Sequence, residues 1–368
     1  MSGNRSINLT LVLIFLVIVI GGLVGLRAYE QRTETQAVGH LTTMLVLRKS
    51  VLESYFESLR SEVLLWSSRP VVIDILKQLN RAQAADDSEG ITGFGELGAD
   101  AINGSRPLEA GTSVDQRVRA FAEHHQYYDV FFISPEGDVL YTVAKEADLG
   151  TNLLDGAYAD SGLGRLFQTL ISLDAPELAT EDFSRYEPSA DQPAAFLGSR
   201  VYDDDVFIGV YAIQIPEAPI NQIMQFSAGM GESGETYLVG EDGLMRSTSR
   251  FFAESTVLVA EVTGETTELA LRGESGISIV DDYRGIPVYS AYEGFTFEGL
   301  RWAVLAEQDV AEVRSSIIRA RYWAAGGLLL VCVILLLLRF MLIRIVLPSS
   351  IAALLGLSLV AAESQADG

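Results

Sequence analysis

The sequence predicts an α+β protein: two tandem strand-rich modules carried on a long N-terminal helix and flanked by two helices able to cross a membrane. Three observations predict it. Two uncharged apolar runs, Ile7–Leu26 and Tyr322–Leu338, stand near the two ends of the 368 residues. A proline-free stretch with helical periodicity follows the first run. Between them, two hairpin-like segments each introduce a similar succession of strands.

The elements follow in chain order. Ile7–Leu26 carries no charge over 20 residues, which matches the length a helix needs to cross about 30 Å of hydrocarbon. A cleaved signal peptide is the alternative. Its apolar core is normally about 7–15 residues and is followed by an A-x-A site; this run is longer and no such site follows, so an uncleaved anchor is expected. Tyr322–Leu338 is the second span, extended past Arg339 by Phe340–Leu347. Flanking arginines stand on both sides of both runs (Arg5, Arg339 and Arg344 against Arg27, Arg32, Arg314, Arg319 and Arg321). Positive-inside counting therefore does not orient the chain.

From Arg27 to Trp66 there is no proline, and Leu45, Leu52, Phe56, Leu59, Val63 and Trp66 recur at the spacing of one helix face. The spacing predicts a single stalk helix, on the order of 60 Å if continuous. It should stop at Ser67-Ser68-Arg69-Pro70, because proline disfavours helix in the residue before it. Val71–Ala82 reads as a second helix, Ala84–Gly111 as a loop or loosely helical connection, and Ser113-Val-Asp-Gln116 as a capping box opening a helix to about His124.

Here the period changes from helix to strand. DVFFISPEGDVLYTV (Asp129–Val143) and ETYLVGEDGLMRST (Glu235–Thr248) both read as hairpins with Gly-containing turns. Further strands follow each: AAFLGSRV and DDVFIGVYAIQI in the first half, GISIVDDYRGIPVYSAYEGF and LRWAVLAEQD in the second. Each half closes with a helix, Ala218–Phe226 and Val310–Arg321. Two tandem α+β modules, each a small antiparallel sheet with helices at its edges, account for this order.

Composition narrows the function. The chain has 26 basic and 49 acidic residues, of which 23 and 47 lie within Arg27–Arg321. Nucleic acid and anionic lipid surfaces both need a basic footprint, so neither is an expected partner of this segment. The only cysteine, Cys332, lies in the second apolar run, leaving the large segment without disulfides, thiolate metal ligands or a thiol nucleophile. No Ser/His/Asp arrangement, paired catalytic carboxylates or nucleophile elbow is present, so no enzyme is predicted. No cofactor is predicted either. His124-His125 is the one histidine pair, with His40 far away. Adjacent histidines point in different directions, so the pair reads as capping or pocket lining and no metal is predicted.

YYDVFFISPEGDVLYTVAKEADLGTNL and GMGESGETYLVGEDGLMRSTSRF, together with DDYRGIPVYSAYEGF and LRWAVLAEQD, resemble the double Cache sensor domains. These are PAS-like extracytoplasmic domains of bacterial chemoreceptors, sensor histidine kinases and membrane-bound nucleotide cyclases. The resemblance covers Arg27–Arg321. It implies two tandem PAS-like Cache modules on a long N-terminal stalk helix, a membrane-distal one first, with a small-molecule ligand usually held in the distal module. It also implies residence in a bacterial inner membrane, with the sensor domain in the periplasm.

The expected organisation is a tail (1–6), transmembrane helix (7–26), stalk and following helix (27–83), distal module (84–227), proximal module (228–321), transmembrane helix (322–347) and cytoplasmic stub (348–368). A homodimer is a further expectation. Two departures from the family pattern matter. ADLGTNLLDGAYADSGLGRLF lacks the R-x-W-Y stretch of amino-acid-binding members, so a free amino acid held in that mode is not supported. After the second span, Pro348 and an apolar stretch resemble only the start of a HAMP-type linker. Two readings follow, a sensor paired with a separate cytoplasmic transducer, or the front part of a longer receptor.

The candidate ligand residues lie in the distal module. Tyr127, Tyr128, Phe131, Tyr141 and Tyr158 gather around strand ends, as sheet core or as pocket walls. Asp129, Lys145 and Asp203 are candidate polar anchors or solvated turn charges. In LMRSTSRF, strand alternation places Arg246 and Arg250 on one face and Ser249 on the other, read as a solvated sheet face rather than an anion site. GMGESGET, Gly229–Thr236, satisfies G-x-G-x-x-G and misses the P-loop pattern at Glu235. A phosphate loop needs a strand before its glycines and a helix after them. Here the order is reversed, and Glu232 and Glu235 would repel phosphate. The glycines are read as the seam between modules, near Ala228. A scaffold without ligand, using the fold for dimer or partner contact, is the competing reading.

Overall fold

In a computed structural model the described residues are 2–89, 114–172 and 177–366, with side chains placed for 8–84, 115–172 and 177–342. The expected loop from 90 onward and the capping-box Ser113 lie outside the described residues. The chain forms two compact units, Met1–Ala37 with Ala311–Gly368, and Val38–Val310.

The first unit is built from two helices, the opening part of α1 (Ser2–Ser67) and α7 (Val310–Ala366). Each contains a stretch long and apolar enough to cross a membrane. Their apolar side chains, Val17, Leu23, Leu329 and Leu336 among them, are exposed. Arg321 donates to Glu30 at 2.8 Å just beyond the apolar stretches. α7 continues through Pro348 as one helix to Ala366.

The second unit holds both sheets. α1 ends at Ser67 as expected, and α2 (Pro70–Glu89) begins at the proline itself, whose fixed φ suits a first helical turn. The expected stalk face is buried at Leu45, Leu52, Phe56, Leu59 and Val63, joined by Leu41. Helix α3 (Val114–His125) leads into β1 (Val130–Ile133) and β2 (Val139–Thr142). Helix α4 (Gly162–Ile171), capped by the Ser161 hydroxyl accepting from Gly164 N–H, precedes β3 (Leu178–Tyr186), β4 (Gln192–Asp203) and β5 (Val206–Gln214). The first sheet is antiparallel with order β2-β1-β5-β4-β3.

All four residues of β1 are buried, because helices cover both sides of the sheet. On the outer face Phe131, Ile133, Val210, Ala212 and Phe196 pack against Leu163, Leu166, Phe167 and Leu170 of α4. On the stalk face Phe132 packs on Tyr141 and Tyr211, with α2 alongside: the Asn80 side chain donates to Ile208 C=O. Close approach forces Gly209, whose φ is +140° and where a Cβ would lie 2.3 Å from Ile133 C=O.

Helix α5 (Glu217–Gln225) closes the first module. The second has β6 (Glu235–Gly240), α6 (Glu265–Leu271), β7 (Gly276–Asp281), β8 (Pro287–Phe297) and β9 (Leu300–Asp309), in sheet order β6-β9-β8-β7. Its stalk face meets α1 at Phe56, whose ring lies 5.2, 4.9 and 5.5 Å from those of Phe295, Phe297 and Trp302. Its opposite face packs Tyr237, Val239, Met245, Ala303 and Leu305 together.

The structure adds β3, α4 and α6 to the expected elements. It also corrects the second hairpin: after β6 the chain bridges back only at Val239–Met245 and does not form a regular strand. Gly229, in the expected seam, has its carbonyl 2.7 Å from His40 Nε2 on α1, and the segment joins α5 to β6 as the reversed order required.

Candidate functional site

The eight expected ligand residues do not converge on one pocket. Tyr127 is buried, stacked on His125 at 5.5 Å, and its hydroxyl donates to Glu62 of α1. His125 Nδ1 lies 2.9 Å from the same carboxylate. Tyr141 donates to Asp115 at 3.0 Å, and Lys145 Nζ meets Asp115 at 3.0 Å, so these two share one acceptor on α3. Phe131 and Tyr158 belong to the outer face, Phe131 buried and Tyr158 packed against it. Tyr128 is exposed and donates to Glu146 at 2.7 Å. Asp203, at the β4–β5 turn, pairs with Lys77 of α2 at 2.6 Å.

Asp129 is not a solvated turn charge. It is fully buried, and its carboxylate accepts from the backbone N–H of Val130 and Val143 at 2.7 Å, Ala144 at 3.1 Å, and the Thr142 hydroxyl. Two of those amides come from the far arm of the hairpin, so the side chain ties the chain's exit from β2 to its entry into β1. Burial raises its pKa to about 7, against the opposing effect of these hydrogen bonds.

Sequence reasoning passed over Asp148. Its carboxylate is buried on the outer side of the first module, where Oδ2 accepts from the Tyr186 hydroxyl at 2.5 Å. Oδ1 has no hydrogen-bond partner among the described residues. Burial raises its pKa, an effect the Tyr186 hydrogen bond opposes. Nearby, Glu146 receives Tyr128 at 2.7 Å and Ser189 at 2.6 Å. The arrangement is a buried acceptor with spare capacity, walled by Tyr186 and the Phe196 ring 5.0 Å from it. No linear motif marks it; Asp148 and Tyr186 are brought together only by the sheet.

The other side of the first sheet holds a cavity of about 300 Å³, between the α1–α2 joint, α3 and strands β1 and β5. Trp66, Ile75, Phe121, Phe132 and Tyr211 line it together with four valines, and Arg69 and Arg117 complete the lining.

The second module carries a buried polar cluster. Glu235 accepts from Tyr283 at 2.6 Å and Ser249 at 2.8 Å, and Glu307 accepts from Tyr237 at 2.8 Å. One carboxylate oxygen from each of Glu235, Asp282 and Glu307 lies within 4.8 Å of the others. Arg284 Nε donates to Asp282 at 2.6 Å and its Nη2 to Asp309 at 2.9 Å. Burial raises the pKa of Glu235, and that of Glu307 to about 7.

LMRSTSRF is likewise not a solvated face. Arg246, Ser247 and Ser249 are buried. Arg246 grips Asp182 of β3, Nε at 3.1 Å from both carboxylate oxygens and Nη2 at 3.0 Å from one. Trp302 Nε1 donates to the same Asp182 at 2.9 Å. A bulge between Glu181 and Ser184 interrupts the β3–β4 register and turns Asp182 and Phe183 toward the second module.

Comparison with known proteins gives one family and a set of folds. Residues 27–317 match the family described as Cache domain. No curated protein matches the chain. The extracellular domain ascribed to a histidine kinase, vpHK1S-Z8, aligns with a TM-score of 0.50 at 9% identity, over 78% of this chain and 96% of that one. The ligand-binding domain of the Pseudomonas aeruginosa amino-acid chemoreceptor PctC in complex with GABA aligns at 0.46 and 13%, over 74% and 99%. That of the Campylobacter jejuni chemoreceptor Tlp3 in complex with L-valine aligns at 0.48 and 12%, over 77% and 97%. At 9% identity the likeness to the histidine-kinase domain is one of fold. With the family match over 27–317 and two tandem sheets on a long helix, the chain belongs to the Cache family, with a double Cache sensor domain between its apolar helices.

Proposed function

We propose that the protein is a non-catalytic receptor of a bacterial inner membrane, whose periplasmic first module binds a small molecule and signals inward through α1 and α7. The observation that carries this reading is Asp148, a fully buried carboxylate with one oxygen unpartnered among the described residues. Buried acceptors are almost always paired, and a ligand donor, an amine or hydroxyl, would complete this one beside Tyr186. Tyr128 and Tyr158 then contribute to the rim, while Tyr127, Asp129, Tyr141, Lys145 and Asp203 shape the module rather than touch the ligand. A homodimer and a separate cytoplasmic transducer are the partners this reading proposes. Binding can shift a signalling equilibrium only by its differential affinity for two states.

Thermal-shift screening of the full chain in nanodiscs against small metabolites tests the reading. At least one amine- or hydroxyl-bearing compound should raise the melting temperature, and Asp148→Asn should weaken that response. If no compound shifts melting in the wild type, the receptor reading falls. The alternative, a ligand-free scaffold, is favoured by the tight filling of the outer face by Leu163, Leu166, Phe167 and Leu170, and a screen without hits would support it.

A further inference from the structure

The cavity on the stalk side of the first sheet is separate from Asp148, which belongs to the outer side. Its walls are apolar and aromatic and come from four different places. Trp66 ends α1, Ile75 belongs to α2, Phe121 to α3, and Phe132 and Tyr211 to facing positions on β1 and β5. At about 300 Å³ it matches the lower end of small-ligand pockets. An apolar cavity of this kind does not hold water well and does accept apolar groups.

The rim has a different chemistry. Arg69 stands in the break between α1 and α2, its guanidinium 5.1 Å from the Trp66 ring centroid. Arg117 projects from α3 and is exposed. Neither guanidinium has a hydrogen-bond or ion-pair partner among the described residues. They stand in a segment with 47 acidic against 23 basic residues. Arg60, Lys77, Arg119, Lys145, Arg165 and Arg284 all have carboxylate partners. Exposed guanidinium groups remain hydrated without a ligand, so leaving the pair unmatched carries little cost. A carboxylate between them would gain planar, charge-assisted hydrogen bonds.

We propose that this cavity is a second binding site of the first module, taking a small organic carboxylate with a flat apolar body. The body lies among Trp66, Phe121 and Phe132, and the carboxylate meets Arg69 and Arg117. The site is built across the α1–α2 joint, so an occupant touches the end of the stalk helix, α2, α3 and the sheet at once. It therefore sets the angle at that joint, whatever occupies the Asp148 side.

Phenylacetate is the probe, with phenylacetamide as its uncharged counterpart, added to the full chain in nanodiscs and followed by calorimetric titration and melting. Phenylacetate should bind at millimolar concentration or better and raise the melting temperature, and the amide should bind at least tenfold more weakly. Arg69→Gln with Arg117→Gln should remove the preference for the acid. Both side chains are exposed, so the double variant should melt with the wild type when no ligand is present, and the double Lys variant should restore part of the binding. Ile75→Trp should fill the cavity and block both compounds. Asp148→Asn should leave phenylacetate binding unchanged, which separates this site from the receptor reading above. Failure of phenylacetate to bind, equal binding of acid and amide, or unaltered binding in the double Gln variant would each overturn the proposal.

Discussion

Glu235 and Glu307 stand directly opposite one another on β6 and β9, both buried, in a pairing position where like charges oppose each other. Two such carboxylates cannot both ionise without strong repulsion. Burial, with repulsion from Glu235 added to it, makes folded Glu307 hold its proton to about pH 7, against about 4.5 for an ordinary glutamate. Across that window the folded chain keeps a proton that the unfolded chain releases, so stability falls as pH rises from about 4.5 to 7 and stays reduced above. The expected result is a higher melting temperature at the acid end of this window than above it. Glu307→Gln should flatten the slope and raise the melting temperature on the alkaline side. Melting curves of both forms across this range measure the difference, from which histidine titration cancels.

Removing Asp182 should be costly. Arg246 is 3% exposed and among the described residues keeps only Asp242, at 2.9 Å, as a carboxylate partner, while the Trp302 indole N–H loses its acceptor. Asp182→Ala should destabilise the chain by about 3 kcal/mol, the range for breaking a buried pair. Gly240→Ala should act through the same contact, since a Cβ there would lie 2.3 Å from the Arg246 guanidinium. Urea unfolding of the two single variants and the double variant should show a combined loss well below the sum.

Phe56→Ala removes a ring buried against Phe295, Phe297 and Trp302. The expected loss is about 3–5 kcal/mol. Leu47→Ala, at an exposed position on the same helix, should change stability by less than about 0.5 kcal/mol. Chemical denaturation of both variants checks the contrast.

Asp129→Ala should leave the amides of Val130, Val143 and Ala144 without their acceptor and cost about 2–4 kcal/mol. Hydrogen exchange should speed up first at Val143 and Ala144, beside Lys145, whose φ of +54° the turn must hold.

Much of the scaffold was readable because its signals are local. Leu45 to Val63 carry their helix face in their own spacing, and Pro70 marks the joint between α1 and α2. The VFFI and VLYT runs announce β1 and β2 through side chains covered on both faces. The site was less legible because its determinants are not local. Asp129 looks like any turn aspartate until amides 14 residues later in the chain converge on it and Asp148 acquires its meaning from Tyr186, 38 residues away. Arg246 and Ser249 alternate as a half-solvated strand would, yet the strand does not form, and Asp182 reaches Arg246 through a bulge that leaves no compositional mark.

The Asp182 contact also bears on how double Cache domains can be recombined. A graft that cut the chain near Ala228 would take Asp182 with one parent and Arg246 and Trp302 with the other, leaving a buried cation and an indole N–H to chance. The natural unit of transplantation is therefore the pair of modules together with the stalk segment beneath them. A hybrid that must divide the modules needs Asp182, Gly240, Arg246 and Trp302 to travel as a set.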